Sequence, residues 1–134
     1  RNPYSTRPYQ HVLEPLAVYL MIAMKQYEDK RFAGWYNVGP DDCDCVTTGE
    51  LVDLFCKTWG EGAAWVNRAE ANAPHEANFL KLDCSKIKST FGWKPRWHIH
   101  ECMNMVCRFS RIWLEGGDTA EEMDREIKEF VGEK

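Results

Sequence analysis

The sequence lacks several things that would have fixed a function quickly. It contains no G-x-G-x-x-G, G-x-x-G-x-x-G or P-loop string, so no glycine turn is present to cradle a pyrophosphate. No Tyr is followed four residues later by Lys, and no G-x-S-x-G or Cys/His nucleophile arrangement occurs. No apolar run approaches the length that spans a bilayer. The opening stretch is polar, holds Pro3 and Pro8 and has no compact apolar region, so it does not read as a signal peptide. Basic residues are scattered and the net charge is −4, which argues against nucleic acid as the main partner, since phosphate backbones attract clustered Lys and Arg. The six cysteines form no C-x-x-C pair. Without a secretory signal they read as free thiols in a reducing cytoplasm.

The 134 residues fit one domain, and 44% apolar with 28% charged residues permits a core and a solvated surface. Leu13, Leu16, Ala17, Leu20 and Met24 recur at helical spacing, with Pro15 at the first helical position and Glu14 at the cap. "WYNV" (Trp35 to Val38) reads as a short strand. Thr47 and Glu50 have capping-box spacing ahead of a helix with Leu51, Leu54, Phe55 and Trp59 on its apolar face, closed by Gly60. A long stretch of weak periodicity follows, from Glu61 to Phe79, with "AAWV" as a candidate strand; loops of this length are usually functional or disordered. "NFLKLD" alternates as a half-buried strand does. Asp83 suits the cap of a short helix ended by Gly92. A longer helix is expected from Ile99 to Leu114, with Ile99, Cys102, Met103, Val106, Ser110 and Trp113 on one face. A last helix follows a second capping box at Thr119 and Glu122, with Ala120, Met123, Ile127 and Phe130 as its apolar face. The class is α/β, mostly helical with a few short strands. Two or three isolated strands make a marginal sheet, so the main sheet is expected to lie elsewhere.

Several residue groups carry chemistry. His98, His100 and Cys102 have ligand chemistry, but their spacing diverges once the segment enters a helix, and the acids of "DDCDC" suit a turn; no metal site is expected from either string. The six tryptophans fall mainly at packing positions. His75 and Glu76 lie in the long loop, as solvated charge or as binding groups. Arg7 and His11 stand just ahead of a helix start. A guanidinium fork and free helix N–H groups suit a phosphate, while a surface Arg with a His packed against the helix start fits the same residues.

Four strings then align in order with a known pattern. "RPYQHVLEPL" resembles the R-x-x-x-H-V-x-[DE] segment of extended short-chain dehydrogenases that act on nucleotide sugars, in the wording of their CDP-sugar dehydratase branch. "WYNVGP" resembles that family's Y-N-[IV]-G strand, "TTGELVDLF" its next helix, and "PHEANFLKLDCSKIKSTFGWKPRW" its P-H-E-A…D-x-S-K…G-W-x-P segment. Tyr9 stands where Trp is usual and Phe91 where Leu is usual. The likeness covers residues 1 to about 115, and the last helix is the least matched part.

The resemblance implies a C-terminal, substrate-binding portion separated from an NAD-binding Rossmann domain that carries the catalytic residues. It implies an intact cytoplasmic enzyme that uses NAD, forms a homo-oligomer and acts on CDP-glucose or a related nucleotide sugar. No catalytic, cofactor or metal role falls to this chain. By resemblance, Arg7 pairs with the substrate diphosphate, His11 stands beside it, Glu14 caps the helix, and His75 and Glu76 sit on a loop over the nucleotide, with Arg68 or His75 as a second basic group. The alternatives are a related dehydratase or epimerase, or a stand-alone nucleotide-binding or interaction module. Surfaces that meet an absent domain should be apolar and exposed, favouring self-association.

Overall fold

The computed structural model describes residues 2–69 and 77–132. Five helices dominate: α1 (Leu13–Glu28), α2 (Thr48–Trp59), α3 (Ser85–Phe91), α4 (Ile99–Leu114) and α5 (Thr119–Val131). Strands β1 (Thr6–Pro8) and β2 (Cys45–Thr47) pair antiparallel, with Arg7 opposite Val46. Single 3₁₀ turns lie at Lys30–Phe32 and Asp42–Asp44. The expected class, mostly helical with few short strands, is what the chain adopts.

The helix ends follow local chemistry. Thr47 and Glu50 form the reciprocal capping box of α2, whose Gly60 C-cap sits at φ +72°. The first N–H groups of α2 would otherwise lack partners; Thr48 N–H donates to the Ser5 carbonyl at 2.9 Å and Gly49 N–H to Pro3 at 2.8 Å. A Cβ at Gly49 would sit 3.1 Å from the Pro3 oxygen, a tight contact that favours glycine here. Asp83 accepts from Ser85 N–H at 2.8 Å, and Gly92, in the left-handed region, ends α3. Helix α4 has the expected bounds.

Other expectations fail for identifiable reasons. Residues 35–38 form no strand: the Val38 carbonyl, which a ladder would use, accepts instead from Gln10 Nε2 at 3.1 Å, and the Asn37 side chain donates from Nδ2 to Asp83 O at 3.1 Å. "NFLKLD" manages one parallel bridge, Thr6 to Phe79, with Thr6 N–H donating to Asn78 O and Leu80 N–H to Thr6 O. The next donor on that edge would be Pro8, which has no N–H, so the ladder stops. "AAWV" is not a strand either; the Trp65 indole instead donates to Asp53 at 2.7 Å. The cap of α5 is Asp118, whose carboxylate accepts from Ala120 and Glu121; Thr119 is already helical, and Glu122 is buried against Arg108 and Arg125.

One cluster is centred on Val18, Cys84 and Ile87, with Met21, Ile22, Tyr36, Phe91 and Trp93 around it. A second packing region joins Ile99, Cys102, Met103 and Cys107 of α4 to Phe130 of α5, which Trp97 meets edge-on with ring centroids 5.0 Å apart. The apolar face expected for α1 is turned outward: Leu16, Leu20 and Met24 are exposed, while Glu14 and Val18 are fully buried. Trp113 and Val106 of α4 and Met123 and Ile127 of α5 are likewise more than a third exposed. All six cysteines are free. Among the described residues no helix is long and apolar enough to cross a membrane.

Candidate functional site

The short sheet positions the first candidate. Arg7 is half-buried on β1, held by β2 on one edge and by residues 78–80 on the other. Its Nη1 donates to the Thr6 carbonyl at 2.8 Å. Between Arg7 and α1 the chain is pinned twice, by Tyr9 Oη and Thr48 Oγ1 at 2.9 Å and by Gln10 to Val38. His75 and Glu76 lie outside the described residues. The Asn78 carbonyl accepts from Thr6 N–H, beside Arg7, at 2.9 Å. Arg68 is exposed.

His11 is buried rather than presented to solvent. Its Nδ1 accepts from Leu13 N–H at 3.3 Å, and its ring packs edge-on to Trp97 at 5.0 Å. Nε2 lies 3.6 Å from Glu126 Oε2, too far for a hydrogen bond. Burial lowers the His11 pKa and raises that of Glu126, so the surroundings disfavour charge on both partners. The distance alone would label them an ion pair; desolvation of both makes a neutral contact the better description. The structure therefore does not bring Arg7 and His11 together as two exposed cations.

A cleft opens beside this segment. Tyr9, Gln10, His11, Leu51, Met103 and Val106 are among the residues lining a cavity of about 270 Å³. A neighbouring cavity of about 290 Å³ shares His11, Val12 and Val106 and extends to Met123 and Glu126. Both are mainly apolar, with Gln10 Oε1 and Glu126 Oε1 as buried acceptors that no described group satisfies. An apolar cleft with a few fixed polar groups is the usual form of a small-molecule site.

The chain has no match to any family model. Over 132 residues, 98% of its length, it is 42% identical to the CDP-glucose 4,6-dehydratase of Salmonella typhimurium. It is a homologue of part of that enzyme. The chain spans 36% of the dehydratase, consistent with a C-terminal portion.

Two carboxylates near the site had roles that sequence reasoning missed. Glu14 was expected to cap α1, yet Val12 holds the N-cap position and Glu14 makes no cap bond. Instead its fully buried Oε1 accepts from Arg96 N–H at 2.7 Å and Trp97 N–H at 2.9 Å. Two converging backbone donors satisfy Oε1, while Oε2 is buried with no partner among the described residues. Asp44 is also buried and works at a distance: Oδ1 accepts from Ile99 N–H at 3.0 Å, capping α4, and Oδ2 meets His98 Nδ1 at 2.8 Å. That bond and the Asp44 charge raise the His98 pKa. No local pattern could have revealed either contact, because the partners lie more than fifty residues away.

Proposed function

We propose that this chain is the substrate-binding portion of a nucleotide-sugar 4,6-dehydratase acting on CDP-glucose. The identity of 42% along 98% of the chain carries the reading. The cleft beside the pinned Tyr9–Val12 segment supports it, as do residues 78–80, which lie along the strand of Arg7. In this reading a separate Rossmann domain would hold NAD, which would supply the hydride chemistry for oxidising the sugar, eliminating water and reducing the product. That chemistry belongs to the cofactor and its domain.

The residues of this chain bind and orient. Arg7 supplies a planar, permanently charged fork to the diphosphate. His11, kept neutral by burial, shapes the cleft wall, and its edge-on contact with Trp97 fixes that wall in place. His75 and Glu76 are assigned to cover the nucleotide. The isolated chain is then inactive.

The test uses the intact enzyme that carries this segment. Arg7→Ala should weaken CDP-glucose binding roughly 10- to 100-fold, as expected for one lost charge-assisted bond pair, with bound NAD retained. Unchanged affinity removes the Arg7 assignment. Equal affinity for CDP-, UDP- and GDP-sugars would instead overturn the CDP assignment. Formation of the 4-keto sugar by the isolated chain would overturn the portion reading.

A further inference from the structure

The fold unites two strings that the sequence keeps apart. Cys43 and Asp44 belong to the 3₁₀ turn before β2, and His98 stands immediately before α4. One ligand atom of each, Sγ, a carboxylate oxygen and an imidazole nitrogen, lies within 4.8 Å of the other two. Cys43 Sγ is 3.7 Å from Asp44 Oδ2, and His98 Nδ1 is 2.8 Å from the same oxygen. We propose that Cys43, Asp44 and His98 form a site for a tetrahedral divalent transition metal, best suited to Zn²⁺.

Two of the three spacings are close to those of a loaded site, and the third, sulfur to nitrogen, is within 4.8 Å against roughly 3.6 Å when an ion is bound. A tetrahedral ion with one thiolate, one imidazole and one carboxylate ligand sets sulfur and oxygen roughly 3.5 Å apart, and nitrogen and oxygen roughly 3.3 Å. The sulfur–oxygen pair is already near that spacing. The imidazole must retreat by about 0.5 Å to reach it, and the His98 side chain, 55% exposed, has room to do so. Asp44 is the fixed member, because its other oxygen is held by Ile99 N–H. The two donors that converge on Oδ2 would be replaced by one ion.

Charge favours the same conclusion. Of the neighbouring acids, Asp41 pairs with Lys88 and Asp42 with Lys81. Asp44 is only 4% exposed, yet among the described residues it has no Lys or Arg partner. Its partners are the Ile99 N–H and His98 Nδ1, and a divalent ion between Asp44, Cys43 and His98 would set a full positive charge beside this buried carboxylate. Three protein ligands leave a fourth position, which opens to solvent beside the exposed Cys43 and His98. The ion would clip the turn before β2 to the start of α4, across 54 positions of sequence. The site is independent of the nucleotide-sugar reading.

Cobalt titration of the metal-free, reduced chain tests this directly. Co²⁺ should give a thiolate-to-cobalt charge-transfer band and strong tetrahedral ligand-field absorption, reaching a plateau at one equivalent. Zn²⁺ should abolish both and raise Tm. Cys43→Ala should lose the charge-transfer band, and His98→Gln should weaken Zn²⁺ binding at least tenfold. Both side chains are exposed, and circular dichroism would verify that each variant is folded. Absence of the band in the parent chain overturns the site. So does a band that persists in Cys43→Ala, which would come from one of the other thiols, or unchanged Zn²⁺ affinity in His98→Gln.

Discussion

Helices α1 and α4 are both sixteen residues long, yet they meet the rest of the molecule in opposite ways. Helix α4 buries Ile99, Cys102, Met103 and Cys107, close to the face that its spacing indicates. Helix α1 buries Glu14 and Val18 and turns Leu16, Tyr19, Leu20, Met24 and Tyr27 outward. The difference begins in composition. Helix α4 interrupts its apolar stripe with His100, Glu101, Asn104 and Arg108, so only one face can be inside. Helix α1 is apolar on almost every side from Leu16 to Met24, so periodicity leaves several faces eligible. Glu14 then selects among them, because its carboxylate must reach the two donors at Arg96 and Trp97. One buried polar contact thus overrides a row of leucine-sized side chains, and the displaced row becomes an apolar surface of the kind that binds partners.

Substitutions should separate the two helices sharply. Met103→Ala in α4 leaves a cavity and should cost about 2–5 kcal/mol in chemical denaturation; a cost near zero would mean that α4 is not the better-packed helix. Glu14→Ala orphans two backbone donors and should cost about 2–3 kcal/mol, whereas Glu14→Gln keeps an acceptor and most of the stability. Equal losses for the two would remove the selecting role of Glu14.

A smaller effect concerns pH. The folded-state pKa of His11 is lowered, while the unfolded chain titrates near 6.5. As pH falls below that value, the unfolded state takes up the proton first, and stability drops until the lowered folded pKa is passed. His11→Gln should flatten this part of a Tm-against-pH curve; an unaltered slope would mean that His11 is not held neutral. The smallest effect is expected on the outer face of α1. Leu20→Ala should change stability by no more than about 0.5 kcal/mol, and a loss as large as that of Met103→Ala would abolish the contrast.

What the sequence reveals follows from the range of the interactions involved. The capping box at Thr47 and Glu50 and the stop at Gly92 depend on residues within a few positions, and both were legible, as were the bounds of α4 from its own periodicity. Strands β1 and β2 were not, since three residues carry no readable alternation and their pairing joins distant segments. The expected strand at 78–83 had the right pattern, but its growth depends on Pro8, far away in sequence. Arg7 could be singled out because its chemistry is evident in the side chain itself. The neutral, packed state of His11 depends on Trp97 and Glu126, which only the fold brings near. Asp44 was visible as an acid in a turn, but its work at the start of α4 was not.

The reach of Glu14 also orders events in time. Its partners lie 82 and 83 positions further along the chain. While the protein is being made, α1 can coil as soon as its own residues are available, but the carboxylate that orients it has nothing to hold until Trp97 has emerged. Contacts of such long sequence separation form late and slow the search for the native state. During that interval α1 carries an undocked acid and an uncovered apolar surface together, so newly made chains should depend most on chaperone protection before the segment at Arg96 and Trp97 arrives.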